Sequence, residues 1–315
     1  MSNVVNKPSP MDLSGLRTIS LHDRPGKVAI ADFARTWTAG AKLTSIFPPL
    51  LAGNSFRAVV DAIVDAKAKH KPILWGIGGH VIKCGLAPVL VDLMQRGFAT
   101  SFSMNGSAAI HDYEIALCGS TSEDVESVLP DGRFGSAEET GREMNGAIHP
   151  GMGLGESYCA SIQSAPFAEH SLLAQAGRAQ VPVTVHVAIG TDTPHTHPAV
   201  NPAALGAATH HDFRLFCTLV SQMNEGGVYL NIGSAVIMPE VFLKAISAVR
   251  NLGHPLAQFT TANFDFLQHY RPRFNVLERP HAGSHAQERG KGYAITGHHE
   301  IMIPLLAMAL RETEA

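Results

Sequence analysis

The feature that most constrains this chain is a recurring unit: a short apolar run ends in glycine or other small residues and leads into a stretch with helical spacing. "PILWGIGG" precedes "HVIKCGLAPVLVDLMQRG", and "ATSFSMNGS" precedes "AAIHDYEIALCG". "VPVTVHVAIGTD" leads to a helix from about Pro202, and "GVYLNIGSA" leads to "PEVFLKAISAVRNLG". "AQFTTANFD" supplies another strand end, and "EIMIPLLAMALRE" closes the chain as a helix. Strands that are apolar throughout, rather than alternating, belong to a sheet covered on both faces. The expected fold is therefore α/β, a doubly wound, mostly parallel sheet.

Around these units, "SFRAVVDAIVDAKAKH", from Ser55 to His70, has a serine start and the spacing of an amphipathic helix. Residues 1–50 are punctuated by Pro8, Pro10 and the pair Pro48-Pro49, and are expected to form an arm wrapping the core. Residues 51–315 are expected to form one α/β domain. Glycine-rich 131–157 is expected to be an extended loop or an excursion to a neighbouring subunit.

The formal charge of −3 offers no basic field for nucleic acid. No apolar run approaches the roughly 20 residues of a membrane helix. Cys84, Cys118, Cys159 and Cys217 are too widely spaced for a disulfide framework or a cysteine zinc site, so a cytoplasmic setting is expected. The expected partner is a small-molecule substrate.

Ligands of such sheets bind at the carboxyl ends of the strands. Four expected strand ends carry small or polar residues: Gly76-Ile77-Gly78-Gly79, Asn105-Gly106-Ser107, Gly233-Ser234-Ala235 and Thr260-Thr261-Ala262-Asn263. Glycine can simply serve a turn, but four such ends together favour a nucleotide pocket. No G-x-G-x-x-G stands at the first turn, so the usual fingerprint is absent.

Four groups of residues are candidates for chemistry. His111 and Glu114 share one side of the helix after Asn105, with Asp112 about 100° away, so His111 is a candidate acid or base. The alternative is that His111 caps local polar groups while Asp112 and Glu114 form a solvated face. In "GTDTPHTHP", His195 and His197 could bind zinc, while Asp192 at a strand end could hold a ribose or an amine. Lys291, between two glycines, is either a phosphate contact or a nucleophile. Glu300, after His298 and His299, suits a helix start.

These motifs together resemble the deoxyhypusine synthase family, over roughly residues 70–310. The run from "GGHVIKCGLAPV" through "SMNGSAAIHDYEIAL" is similar to the family's segment joining two nucleotide turns. "YLNIGSAVIMPEVFLKA" is similar to its "LGGGVPKHH" region, "FTTANFD" to its "INTAQEFDG" and "YAITGHHEIMIPLLAMAL" to its closing "YADATLVFPLLVA". The resemblance implies an NAD-binding fold, a homotetramer with shared sites, and hydride transfer to NAD from a carbon beside an amine. In that family a lysine then captures the aminobutyl group and the hydride is returned. It places Gly79 and His80 at the first nucleotide turn, with Gly78 beside them, and Asn105 to Ser107 at the second. Gly233 and Ser234, Thr261 and Ala262, and His298 and His299 fall at further cofactor-contacting turns, and Asp192 falls at the family's aspartate after "LTD". The chain departs from the family where paired glutamates become Ile110 and His111, and the nucleophilic-lysine motif has no counterpart. The chain is thus expected to be a divergent relative, with His111, Asp112, Asp192, Lys291 and Glu300 as catalytic candidates. It would oxidise and re-reduce a carbon bearing nitrogen or oxygen. A metal-dependent hydrolase using His195 and His197, or a non-catalytic nucleotide-binding protein, is the alternative.

Overall fold

A computed structural model describes residues 8–283 and 290–314. From Leu51 the chain alternates helices and strands. Helix α1 (Leu51–Ala68) precedes β1 (Ile73–Ile77), followed by α2 (Gly79–Lys83) and α3 (Ala87–Gln95). β2 (Ser101–Asn105) feeds α4 (Gly106–Cys118), and an excursion contributes α5 (Glu138–Ala147), α6 (Leu154–Ser161) and α7 (Leu172–Arg178). β3 (Val183–His186) leads to α8 (Pro202–Ser221), β4 (Gly227–Ile232) to α9 (Ile237–Asn251), and β5 (Phe259–Asp265) to a π-helical turn, Pro272–Glu278. β6 (Gly292–Thr296) and α10 (His299–Arg311) complete the fold.

All six strands are parallel, in the order β3-β2-β1-β4-β5-β6. Successive side chains of a strand point to opposite faces, so each inner strand needs apolar residues on both. In β1, Ile73, Trp75 and Ile77 join the larger core, whereas Leu74 joins a second core with Phe216, Tyr229 and Phe242. Helices therefore cover both faces, as the unbroken apolar runs predicted. Burying a Leu- or Phe-sized side chain contributes about 1.5–3 kcal/mol, which makes these two layers the main support of the sheet.

Three sequence expectations are corrected, and one strand was missed. The helix expected from "HVIKCGLAPVLVDLMQRG" is two helices, because Gly85 adopts a left-handed conformation (φ +74°) that ends α2. The turn expected at Thr260–Asn263 is the interior of β5, which continues to Asp265. The strand β6 went unrecognised, because "GYAIT" is short and lies at the sheet edge. The excursion of 131–157 is neither an extended loop nor detached: Asn145 Nδ2 donates to Pro194 O at 2.9 Å, and Gly155 N donates to Asp212 Oδ2 at 2.8 Å, so it folds back over its own chain. No helix among the described residues is long and apolar enough to cross a membrane.

Candidate functional site at the sheet's carboxyl edge

The strand order reverses between β1 and β4. The turns leaving these neighbours must diverge, and this divergence opens the crevice where doubly wound sheets take ligands. Here the two turns meet as bare backbone. Gly78 N donates to Ile232 O at 2.8 Å, and a Cβ on Gly78 would stand 2.0 Å from Gly233 O. Gly233 also has φ +65°, so a side chain there is excluded by conformation as well as by space. On one side, Gly79 packs on α4: an added Cβ would meet Ser107 Oγ at 2.2 Å and the Cδ2 edge of His111 at 3.3 Å. On the other side, the added Cβ of Gly233 would meet the Cε1 edge of His299 at 3.0 Å.

His299 is buried. Its Nε2–H donates to Phe264 O at 3.1 Å, which leaves Nδ1 as a bare acceptor, and Nδ1 is buried with no partner. Burial depresses its pKa, opposed by the Phe264 carbonyl and by Asp265, so the neutral ring is favoured. Next to it stand His80, with ring centroids 5.4 Å apart, and Phe266, whose ring stacks on His298 at 5.8 Å. Glu300, in the first turn of α10, has its pKa lowered chiefly by its own backbone N–H. Ser234 is committed to the fold, its Oγ accepting from Met238 N at 3.1 Å.

The β2 end is also built from polar groups with assigned tasks. Asn105 caps α4, its Oδ1 accepting from Ala108 N at 2.9 Å. Glu114 accepts from Thr140 Oγ1 at 3.0 Å and from the Thr121 hydroxyl. Because Thr121 spends its proton on Glu114, it accepts from His111 Nδ1–H, at 2.8 Å. That fixes the tautomer of His111 and leaves Nε2 unprotonated on the ring edge facing Gly79. Burial, with some help from Lys83, lowers its pKa to about 4, so His111 is neutral near pH 7.

Asp112, a catalytic candidate from the sequence, belongs elsewhere. It is fully buried and accepts from Ser171 Oγ (2.6 Å), Leu172 N (2.8 Å) and Leu173 N (2.8 Å), anchoring the start of α7. Burial raises its pKa to about 6, and those hydrogen bonds hold it from rising further.

Asp192, from the loop after β3, does reach the β2 end: a Cβ on Gly106 would lie 2.1 Å from its Oδ2. Burial raises its pKa, and His195 opposes the shift. Asp192, His195, Gly106 and Tyr158 line a small, partly open space of about 10 Å³ beneath α5 and α6, room for one water.

His195 and His197 do not form the metal pair of the alternative reading. His195 Nδ1 accepts from Gly190 N at 3.1 Å, whereas His197 Nδ1 accepts from Ala199 N at 3.1 Å and its Nε2 faces Glu138 Oε2 at 3.2 Å. Lys291 immediately precedes β6 at the amino edge, where its carbonyl accepts from Thr261 N at 3.0 Å. The strand's length, roughly 17 Å, separates that edge from the site. Thr261 and Ala262 are likewise buried inside β5, and the Thr261 hydroxyl donates to Val276 O at 2.8 Å. Two neighbours of the site were missed in sequence: Cys84, four residues after His80 on the same helical face, and Phe266, just past β5. The i, i+4 spacing of His80 and Cys84 was the available signal.

Solved structures share this architecture at low identity. A conserved putative LOR/SDH protein from Methanococcus maripaludis S2 is 15% identical over 89% of this chain and 75% of its own, with a TM-score of 0.51. Unliganded AgrE is 14% identical over 84% of this chain, with a TM-score of 0.50. The chain spans 33% of AgrE and 31% of ArgZ, an arginine dihydrolase from Cyanobacteria. A putative deoxyhypusine synthase from Entamoeba histolytica is 10% identical over 82% of this chain and 87% of its own, at a TM-score of 0.47, too loose a likeness to argue from. No family model and no curated protein matches the sequence. The chain has an α/β fold of this kind.

Proposed function

We propose that this chain is an NAD-dependent enzyme that oxidises and re-reduces a carbon bearing nitrogen or oxygen in a small amine-type substrate. One observation carries the reading: at the sheet's switch point the Gly78 and Gly233 turns pack backbone to backbone, and beside them His299 keeps Nδ1 as a buried acceptor without a partner. A buried acceptor left unpaired costs about 1–3 kcal/mol, and a ribose hydroxyl or a carboxamide N–H would satisfy it. AgrE has been solved in a ternary complex with ornithine and NAD+. That pairing belongs to AgrE, and the proposal rests on this chain's own switch point.

NAD bound there would supply the hydride acceptor and donor. Gly78 and Gly233 let the two turns pack against each other at the switch point, and His299 Nδ1 is the acceptor that would orient the ligand there. His111 Nε2, already unprotonated, takes the proton released as the substrate carbon is oxidised and returns it on reduction. Asp192 braces the β2 end against Gly106, since the space it lines has room for one water and not for the substrate. Lys291, at the opposite edge, takes no part, so covalent transfer through it is left out. The same reading takes the chain as a homotetramer of 51–315 α/β domains. The arm of residues 1–50 exposes Met11, Ile19 and Trp37, which a second subunit can cover.

Denaturing the purified protein and identifying the small molecule released tests the cofactor. NAD or NADH is expected, or else a rise in melting temperature on adding NAD; the absence of both contradicts the reading. His111→Ala is expected to lower turnover about 100-fold or more while NAD binding persists. Bound NAD with no turnover on any amine favours a nucleotide-binding protein instead. Sedimentation as a monomer removes the tetramer.

A further inference from the structure

Three donors of different chemistry meet where α2 ends and α10 begins. His80 and Cys84 stand one helical turn apart, and Gly85 stops the helix immediately after the thiol. Glu300 reaches them from the first turn of α10. His80 Nε2 lies 3.2 Å from Cys84 Sγ, Cys84 Sγ lies 3.7 Å from Glu300 Oε2, and one ligand atom from each lies within 4.8 Å of the others.

These separations match what a metal would require. With metal–sulfur near 2.3 Å and metal–nitrogen or metal–oxygen near 2.0 Å, tetrahedral angles put sulfur about 3.5 Å from each of the other donors. The two observed sulfur distances fall on either side of that value. Thiolate and carboxylate together carry two negative charges, which balance a divalent ion, and a neutral imidazole completes a donor set of borderline softness. His298 Nδ1 lies 3.8 Å from Glu300 Oε1, an ion-pair distance beyond hydrogen-bond reach. His80 and Glu300 are exposed, so a fourth position faces outward.

We propose that His80, Cys84 and Glu300 bind one divalent transition ion of the zinc type, leaving the fourth position open to water or to an oxygen of the substrate. Binding releases the thiol proton to solvent. Among the described residues this is the set of His, Cys and carboxylate donors that converges, in contrast to His195 and His197. The proposal goes beyond the dinucleotide reading and does not depend on it.

The test is a titration of chelator-treated, full-length protein with Co2+, read by the thiolate-to-cobalt charge-transfer band and the visible bands of four-coordinate cobalt, with no NAD present. Saturation at one Co2+ per chain and displacement by one Zn2+ are expected. Cys84→Ser should abolish the charge-transfer band. His80→Ala and Glu300→Gln should each weaken binding about 100-fold. Cys118→Ser should leave the titration unchanged, and melting temperatures check that every variant is folded. Wild-type protein that gives no charge-transfer band, or a band that survives Cys84→Ser, overturns the proposal; the trio is then only a hydrogen-bonded cluster. NAD binding, measured separately by thermal shift, is unaffected by either outcome.

Discussion

The two halves of the sheet's carboxyl edge use polar residues in opposite ways. Beyond β1 toward β3, Asn105, Asp112, Glu114, His195 and His197 all have partners within the chain. Beyond β4 toward β6, His299 keeps a buried nitrogen without a partner, Phe266 is 43% exposed, and His80, Cys84 and Glu300 converge at the rim. A dense run of ionisable residues, His111-Asp112-Tyr113-Glu114, is mostly scaffold. The histidines that are free to bind something come from segments more than 200 residues apart. Partner accounting, rather than local density of charge, separates the two.

The largest effect should come from the scaffold half. Asp112→Ala would orphan three donors at the start of α7, a loss of about 3 kcal/mol or more in chemical denaturation, with NAD affinity kept in whatever fraction remains folded. If Asp112→Ala instead stays stable and loses turnover, the contrast between the halves fails. Next is Gly233→Ala, which forces φ +65° on a residue with a Cβ and crowds His299. It should cost roughly 1–2 kcal/mol and remove the NAD-induced thermal shift. An alanine variant that still binds NAD would remove the switch point from the account.

A smaller, pH-dependent effect sharpens the comparison. His111 has a folded pKa of about 4, below the unfolded 6.5, so between these values the unfolded chain binds the extra proton. The stability that neutral His111 contributes is complete above about pH 6.5 and is lost as pH falls toward 4. Asp112 has the opposite sign: its folded pKa of about 6 exceeds the ordinary 3.8, so its contribution declines as pH rises through that interval. Comparing wild type with His111→Gln across pH 4–7 isolates the first term; the variant should show a shallower loss toward acid. Identical slopes would contradict the burial of His111. The smallest effect is Glu138→Gln. It removes a pairing with His197 in which the carboxylate is 63% exposed, and should change stability by no more than about 0.5 kcal/mol.

Much of the fold was legible because its signals are local and repeated. Apolar strands, glycine turns and helical spacing located five of the six strands, and parallel pairing follows from the alternation of strand and helix. The sixth strand has an edge strand's weak pattern, and the break at Gly85 looks in sequence like one glycine within a longer helix. The site was legible only in part. Gly78, Gly233 and Asn105 announce strand ends, but which ends adjoin depends on strand order, which no local pattern encodes. Lys291 looked reactive because glycines flank it, yet its position one residue before β6 puts it at the wrong edge. Thr261 looked like a turn residue because "TTAN" is polar, whereas those polar groups are satisfied inside the sheet. His299 and Cys84 gain meaning only from tertiary neighbours.

The central claim is that a dinucleotide lies across the switch point. A crystal structure of the protein grown or soaked with NAD tests it most directly. The account predicts NAD density over Gly78 and Gly233, with a ligand hydroxyl or amide donating to His299 Nδ1. NAD located beneath α5 and α6 beside Asp192, or a crevice that stays free of NAD at saturating concentration, would contradict it.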